Sequence, residues 1–135
     1  MNIAFFLIPK RDVAFVKYES TMRQALEKME YHRYSSVPLI NGDGQYVGTL
    51  TEGDLLWKIK NTHHLTFENT NKVWIKDVPL HIQNDPIHID AEMEHIISKS
   101  MEQNFVPVVD DQNIFIGIIR RREIIEYCST KLLTL

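Results

Sequence analysis

Two stretches of the chain repeat the same order of apolar and polar positions. SVPLINGDGQYVGTLTEGDLL (36–56) aligns without gaps on FVPVVDDQNIFIGIIRRREII (105–125). Pro38 aligns with Pro107, and apolar residues align with apolar residues at almost every position. A repeat of this length indicates two copies of one supersecondary unit.

Each copy contains a predicted β-hairpin. In the first copy, VPLI and YVGTL flank the turn residues NGDG, and in the second, VPVV and IFIGII flank DDQN. Short runs of β-branched residues around such turns are typical of hairpins. Pro38 and Pro107 stand near the start of a strand, where the missing N–H is tolerated.

A helix is predicted after each hairpin, because apolar residues recur there at helical spacing. The predicted apolar stripes are Leu55, Leu56 and Ile59 in the first copy and Ile124, Ile125, Cys128 and Leu132 in the second.

Another helix is predicted before each hairpin, again from apolar spacing. Its apolar face comprises Met22, Ala25, Leu26 and Met29 in the first copy and Met93, Ile96, Ile97 and Met101 in the second. Thr21 with Gln24 fits a capping box, and Asp90 is a candidate cap for the second helix. Matching Met29 with Met101 indicates that the second copy lacks three residues between helix and hairpin.

Short apolar segments precede these helices and predict a leading strand in each copy. They are DVAFV (12–16) in the first copy, and LHI and IHI around QNDP (80–89) in the second. The predicted organisation is therefore a first motif at 1–60, a polar linker at 61–76 and a second motif at 77–135.

Composition narrows the functional classes. The net charge of −3 gives no general attraction to nucleic acid. No apolar run reaches the roughly 20 residues that span a bilayer, and no secretory signal is recognisable, so neither a membrane partner nor export is expected. The single cysteine, Cys128, cannot form a disulfide within the chain and is predicted to be a core residue. A reducing cytoplasm is the expected compartment.

Enzymatic and metal-binding motifs are not found in the sequence. There is no phosphate-cradling Gly-rich loop and no nucleophile–base pattern, so the chain is not expected to be an enzyme. His63 and His64 lie in the polar linker, and His81, His88 and His95 lack a cysteine or acid cluster that would complete a metal site. We therefore expect that the chain binds no metal ion.

The repeated pattern resembles the cystathionine-β-synthase (CBS) motif. The resemblance rests on apolar-Pro-apolar, a polar turn, and Gly-apolar-apolar-Thr-x-x-Asp-apolar-apolar in LTEGDLL, preceded by an Ala/Leu/Met helix. Two such motifs in tandem resemble a Bateman module, and IPKRDVAFV with LTEGDLLW is similar to short stand-alone CBS proteins common in Firmicutes.

The resemblance implies an α/β (α+β) fold of two β-α-β-β-α motifs packed with pseudo-twofold symmetry. It also implies an adenine nucleotide (AMP, ADP, ATP or cyclic di-AMP) bound in the cleft between the motifs, as a regulatory ligand and not as a cofactor. The implied partners are a second copy in a homodimer and an unknown effector protein.

The first strand-to-helix junction is the candidate site with the clearest chemistry. A helix N-terminus offers free N–H groups that favour phosphate, and Thr51 and Asp54 there can bond a phosphate or ribose. By resemblance, Thr51 and Asp54 take the ribose-phosphate, Lys10 closes the cleft, and the base is lined by Tyr34, Ser36 and Val37. An N-cap with an acid in the first turn is the alternative interpretation.

The second junction carries Arg120, Arg121 and Arg122 in place of Thr-Glu-Gly, and Glu123 in place of Asp54. Three cations at a helix start oppose the helix dipole, so an anion with two or more phosphates is a candidate ligand. The alternative is a solvated basic turn paired with Glu123, Glu126 or acids of another subunit. Phe105 and Val106 match the base-lining positions of the first copy.

A second hypothesis is that the chain is a dimerisation and partner-docking module whose nucleotide pocket is vestigial. Its docking surface would be apolar, formed among Phe5, Phe6, Trp57 and Trp74.

Overall fold

The computed structural model describes residues 2–134. Seven strands and four α-helices alternate along them, in an order that repeats. The elements are β1 (Ile8–Pro9), β2 (Val16–Lys17), α1 (Met22–His32), β3 (Ser36–Ile40), β4 (Tyr46–Thr51), α2 (Glu52–Asn61), β5 (Ile87–His88), α3 (Met93–Ser100), β6 (Phe105–Val109), β7 (Phe115–Arg120) and α4 (Arg121–Leu133). The predicted order β-α-β-β-α is confirmed twice, as β2-α1-β3-β4-α2 and β5-α3-β6-β7-α4.

The chain divides into two compact units. The first-repeat unit comprises Ala14–Gln83, and the second-repeat unit comprises the residues before Ala14 together with those from Asn84 onward. The opening segment of the chain therefore belongs to the unit of the second repeat.

The first-repeat unit has a three-stranded sheet in the order β2-β3-β4. β2 runs parallel to β3, and β3 runs antiparallel to β4 across the predicted NGDG turn. Thr21 and Gln24 form the predicted capping box, which satisfies N–H groups at the start of α1. The buried core of this unit is Val16, Met22, Ala25, Met29, Val37, Leu39, Leu50, Leu55, Leu65, Ile75 and Val78.

Residues 61–76, predicted as a linker, are packed into this unit. They form 3-10 turns at Phe67–Lys72 and Ile75–Asp77, with Ile75 fully buried. The Met22 N–H donates to the Val73 carbonyl at 2.8 Å. The polar composition of this segment reflects its exposed side, whereas Leu65 and Ile75 complete the core.

The second-repeat unit has a four-stranded sheet in the order β1-β7-β6-β5. β1 adds to it by pairing antiparallel with β7, with Ile8 opposite Ile118 and Pro9 opposite Gly117. A Cβ at Gly117 would lie 2.1 Å from the Ile8 carbonyl oxygen, so only glycine permits this approach. The core is Ile3, Ile87, Ile96, Val106, Val108, Ile119 and Ile124.

The hairpins repeat in detail. The strand register shifts between Leu39 and Ile40 in the first hairpin, and between Val108 and Val109 in the second. These positions are aligned by the same offset as Pro38 and Pro107. The two copies thus share a bulge that the apolar pattern did not reveal.

Two predictions about leading segments are wrong. The first leading strand is Val16–Lys17 and not 12–16, and Leu80–Ile82 form no strand. The cap of α3 is Glu92, without a side-chain bond, and not Asp90. Asp90 instead lies in a turn, where its N–H donates to His88 Nδ1.

The predicted apolar stripes are wider than the buried faces. Leu56, Met101, Ile125 and Leu132 are all exposed. Leu56 and Ile125 each follow the buried apolar residue of their helix, and Met101 lies beyond the end of α3. Met29 is equivalent to the buried Ser100 and not to Met101, as counted from the caps of α1 and α3. The second copy is therefore two residues shorter here, not three.

Among the described residues, none of the helices has the length and apolar character to cross a bilayer.

Candidate functional site: the strand-to-helix junctions

The two junctions between hairpin and helix have the same backbone construction. Ser36 lies opposite Thr51 across β3 and β4, and Phe105 lies opposite Arg120 across β6 and β7. The first helical N–H then donates back to the loop before the hairpin, from Glu52 to the Ser35 carbonyl in one copy. The equivalent bond in the other copy runs from Arg121 to Asn104. The junctions therefore differ in side chains on a common backbone.

At the first junction, Thr51 and Asp54 form a capping box. The Asp54 N–H donates to Thr51 Oγ1 at 3.1 Å, and the Thr51 N–H donates to Asp54 Oδ2 at 2.9 Å. The capping interpretation is thus realised in the structure. It occupies one carboxylate oxygen of Asp54 and leaves α2 with a well-satisfied first turn.

The second oxygen of Asp54 is bonded to His81. Oδ1 accepts from the His81 N–H at 2.9 Å and lies 2.7 Å from His81 Nδ1. The Asp54 side chain is completely buried, whereas the His81 side chain is about half exposed. Because a carboxylate only accepts hydrogen bonds, Nδ1 is the protonated nitrogen in this contact. A residue 27 positions away therefore contributes to the junction.

A cavity of about 590 Å³ lies beside this junction, within the first-repeat unit. Tyr34, Glu52 and Gly53 form the wall nearest the junction, and Arg33 contributes a cation. The Tyr34 ring stacks on His32 with centroids 5.3 Å apart. Glu30 adds a second carboxylate to the wall, and the apolar part of the lining is Leu26, Met29, Leu55, Leu56 and Phe67.

At the second junction, Arg120 and Glu123 occupy the positions of Thr51 and Asp54. Arg120 Nε donates to both Glu123 carboxylate oxygens, at 2.9 and 3.1 Å, and Arg120 Nη2 contacts Oε1. Partial burial alone would raise the pKa of Glu123, but the bonds from Arg120 and the nearby charge of Arg122 lower it below the usual 4.5. An ion pair thus replaces the capping box, as the alternative interpretation of this junction anticipated.

The other two arginines point to different partners. Arg121 Nε donates to the Ser100 carbonyl at 2.7 Å and to the Gln103 carbonyl at 3.1 Å. Arg122 Nε donates to Glu126 at 3.2 Å on the exposed face of α4. The three guanidiniums therefore do not converge on one point, and Arg121 is committed to the end of α3.

The remaining predicted site residues divide between the units. Lys10 lies in a 3-10 turn next to β7, in the unit of Arg120 and not in that of Thr51, because β1 pairs with β7. The side chains of Val37 and Val106 are buried in the two cores, and the side chain of Phe105 is almost completely buried. These residues would therefore contact a ligand through their backbone.

Sequence reasoning missed His81 as a partner of Asp54. No spacing rule links them, because the contact depends on where the chain returns after the 3-10 turns. It also missed the Arg121 contact with α3. No group of three or more His, Cys, Asp or Glu side chains suited to a metal ion occurs within residues 2–134.

The chain is similar to known proteins in both sequence and structure. The chain is 28% identical over 116 residues to inosine-5'-monophosphate dehydrogenase of Methanocaldococcus jannaschii, spanning 86% of this chain but only 22% of that enzyme. Among solved structures, CbpB in complex with c-di-AMP is 27% identical, covers 99% of this chain and 88% of its own, and has a TM-score of 0.87. CbpB from Streptococcus agalactiae is 28% identical, covers 94% and 79%, and has a TM-score of 0.81.

The family model for the CBS domain matches twice, at residues 7–61 and 75–130. These matches take in both hairpins, both junctions, the helices α1, α2 and α3, and α4 as far as residue 130. The chain belongs to the CBS domain family and carries two CBS domains in tandem.

Proposed function

We propose that the chain is a regulatory CBS pair that binds an adenine nucleotide, with cyclic di-AMP the leading candidate, and that it is not an enzyme. The observation that carries this proposal is the likeness to CbpB, a protein solved with c-di-AMP, over 99% of the chain at 27% identity. The ligand acts as a signal and not as a cofactor.

The side chains at the junctions suit a phosphorylated ligand. In the first-repeat unit, Thr51 offers a hydroxyl at the amino end of a ten-residue helix. In the second-repeat unit, the side chains of Arg120 and Arg122 are 55% and 81% exposed. Both arginines are held by carboxylates that a phosphate can replace as bidentate partners. Each unit therefore has its own set of candidate contacts.

Signalling requires that the bound state differ from the free state in a surface that another protein contacts. Phosphate groups would neutralise Arg120 and Arg122 and release Glu123 and Glu126 from them. The exposed face of α4 would then change its charge distribution. We propose that an effector protein reads this change.

Isothermal titration with AMP, ADP, ATP and cyclic di-AMP tests the proposal, with Thr21→Ala as a matched control for Thr51→Ala. Both threonines are caps of the same kind, and each substitution costs about 1 kcal/mol of stability. We expect cyclic di-AMP to bind the wild type and the Thr21→Ala variant equally, and the Thr51→Ala variant at least tenfold more weakly. Absence of binding to the wild type by all four nucleotides would reject the proposed function.

The alternative, a dimerisation and docking module, is favoured by apolar exposure in the first-repeat unit. Leu56, Trp57 and Phe67 are 51%, 44% and 64% exposed, and two of them line the cavity. Such a cluster is typical of interaction surfaces. This alternative predicts a dimer by light scattering in wild type, a monomer in Leu56→Glu, and no rise in melting temperature with any nucleotide.

A further inference from the structure

The segment Pro79–Ile82, here called the strap, crosses the first junction and makes two contacts with it. Leu80 packs on Gly48, where a Cβ would lie 2.7 Å from Leu80 Cδ1. His81 bonds Asp54 Oδ1 through both its backbone N–H and its ring Nδ1. All four strap residues are exposed, so the strap lies on the outside of the unit, and these two contacts connect it to the junction.

The carboxylate of Asp54 has no accessible surface while the strap is in place. Its side chain is completely buried, with Oδ2 engaged by Thr51 and Oδ1 by His81. A ligand hydroxyl reaches Oδ1 only if the His81 donors leave. Since a buried carboxylate without donors is strongly disfavoured, one set of donors has to be exchanged for another.

A nucleotide sugar can make that exchange. His81 presents two N–H donors to one carboxylate oxygen, and a ribose presents hydroxyl donors of similar reach. The His81 side chain is about half in solvent, so its removal exposes little apolar surface. The Leu80 side chain is 36% exposed and adds modest packing. The strap is thus bound firmly enough to occupy the carboxylate and weakly enough to be displaced.

We infer that the strap is an internal competitor for the nucleotide at Asp54, and that ligand binding lifts Leu80 and His81 from the first junction. This rests on the proposed function, in which Asp54 holds a sugar hydroxyl. Competition lowers the apparent affinity of the site, because only the fraction of molecules with a lifted strap can bind. By the same linkage, the bound ligand holds the strap away from the junction.

Titration of cyclic di-AMP into strap variants tests this inference. We expect the His81→Ala and Leu80→Ala variants each to bind about three- to tenfold more tightly than wild type. His88→Ala is the matched control, because it also removes a histidine–carboxylate contact, between His88 and Asp111 in the other unit. Its affinity should equal that of wild type.

The strap inference would be overturned if the wild type binds cyclic di-AMP and the His81→Ala and Leu80→Ala variants bind it equally or more weakly. The proposed function would stand in that case. Absence of binding by AMP, ADP, ATP and cyclic di-AMP in the wild type and in all variants would reject the proposed function and the competition with it.

Backbone amide hydrogen exchange gives a second readout in the wild type. The His81 N–H, bonded at 2.9 Å in the free protein, should exchange faster when cyclic di-AMP is saturating. It should also exchange faster in ligand-free Leu80→Ala. An His81 exchange rate that saturating ligand leaves unchanged would overturn the inference.

Discussion

Arg121, at the start of α4, closes the end of α3 by donating from Nε to the Ser100 carbonyl at 2.7 Å. The same nitrogen is 3.1 Å from the Gln103 carbonyl. A cation at the carboxyl end of a helix is stabilised by the dipole and by carbonyls that lack helical partners. The unfavourable position of Arg121 at one helix start is therefore offset by a favourable position at another helix end.

We expect Arg121→Ala to destabilise the protein by about 1–2 kcal/mol, because it leaves partly buried carbonyls without a charged donor. Arg122→Ala is the matched control, since Arg122 pairs with Glu126 on an exposed surface, and it should cost at most about 0.5 kcal/mol. Urea unfolding followed by circular dichroism measures both. Equal stability of the two variants would show that the contact with α3 contributes nothing.

We expect Gly117→Ala to be among the most damaging glycine substitutions, at about 3 kcal/mol or more. The new Cβ would meet the Ile8 carbonyl oxygen at 2.1 Å, and φ is +157°. Its counterpart Gly48→Ala should cost about 1 kcal/mol, because it meets only the Leu80 side chain, which can move. Thermal unfolding compares the pair, and a Gly48→Ala variant as unstable as Gly117→Ala would contradict the expected difference.

Ser100→Ala is expected to stabilise the protein by about 1 kcal/mol. The Ser100 hydroxyl is buried without a hydrogen-bond partner in the described part of the chain, and removing such a group avoids its desolvation cost. The exposed Ser98 lies on the same helix, so Ser98→Ala controls for the helix propensity of alanine. A melting temperature of Ser100→Ala no higher than that of Ser98→Ala would argue against this.

The lowered pKa of Glu123 predicts an acid-sensitive contribution to stability. A carboxylate whose folded pKa lies below its unfolded value stabilises the folded state fully above the unfolded value. That contribution is lost as the pH falls from about 4.5 through the lowered folded pKa. Arg120→Ala should therefore reduce the unfolding free energy at neutral pH and flatten its decline below pH 4.5.

Denaturant unfolding at a series of pH values between neutral and acid measures this effect. Arg122→Ala provides the comparison, because Arg122 contributes only the last and smallest of the influences that lower the pKa of Glu123. Its acid profile should stay closer to that of wild type. Identical profiles for wild type and Arg120→Ala would contradict the role of the Arg120–Glu123 pair.

Much of the fold could be predicted because it is local. The hairpins follow from turn residues between β-branched runs, and the capping box of α1 follows from Thr21 and Gln24. The candidate site could be predicted only in part from such local patterns. Thr51 and Asp54 were found as a pair because three positions separate them on one helix turn. His81 was not found, because nothing in its neighbourhood specifies what it contacts.

The sequence by itself determined the doubled unit, since apolar spacing, turn chemistry and helix caps act over a few residues and recur at one offset. The tertiary structure alone decided three long-range contacts: β1 on β7, His81 on Asp54, and Arg121 on the end of α3. These depend on which backbone groups and carboxylates remain unsatisfied after the local elements have formed. Such partners are chosen by proximity in the packed chain, which no local pattern encodes.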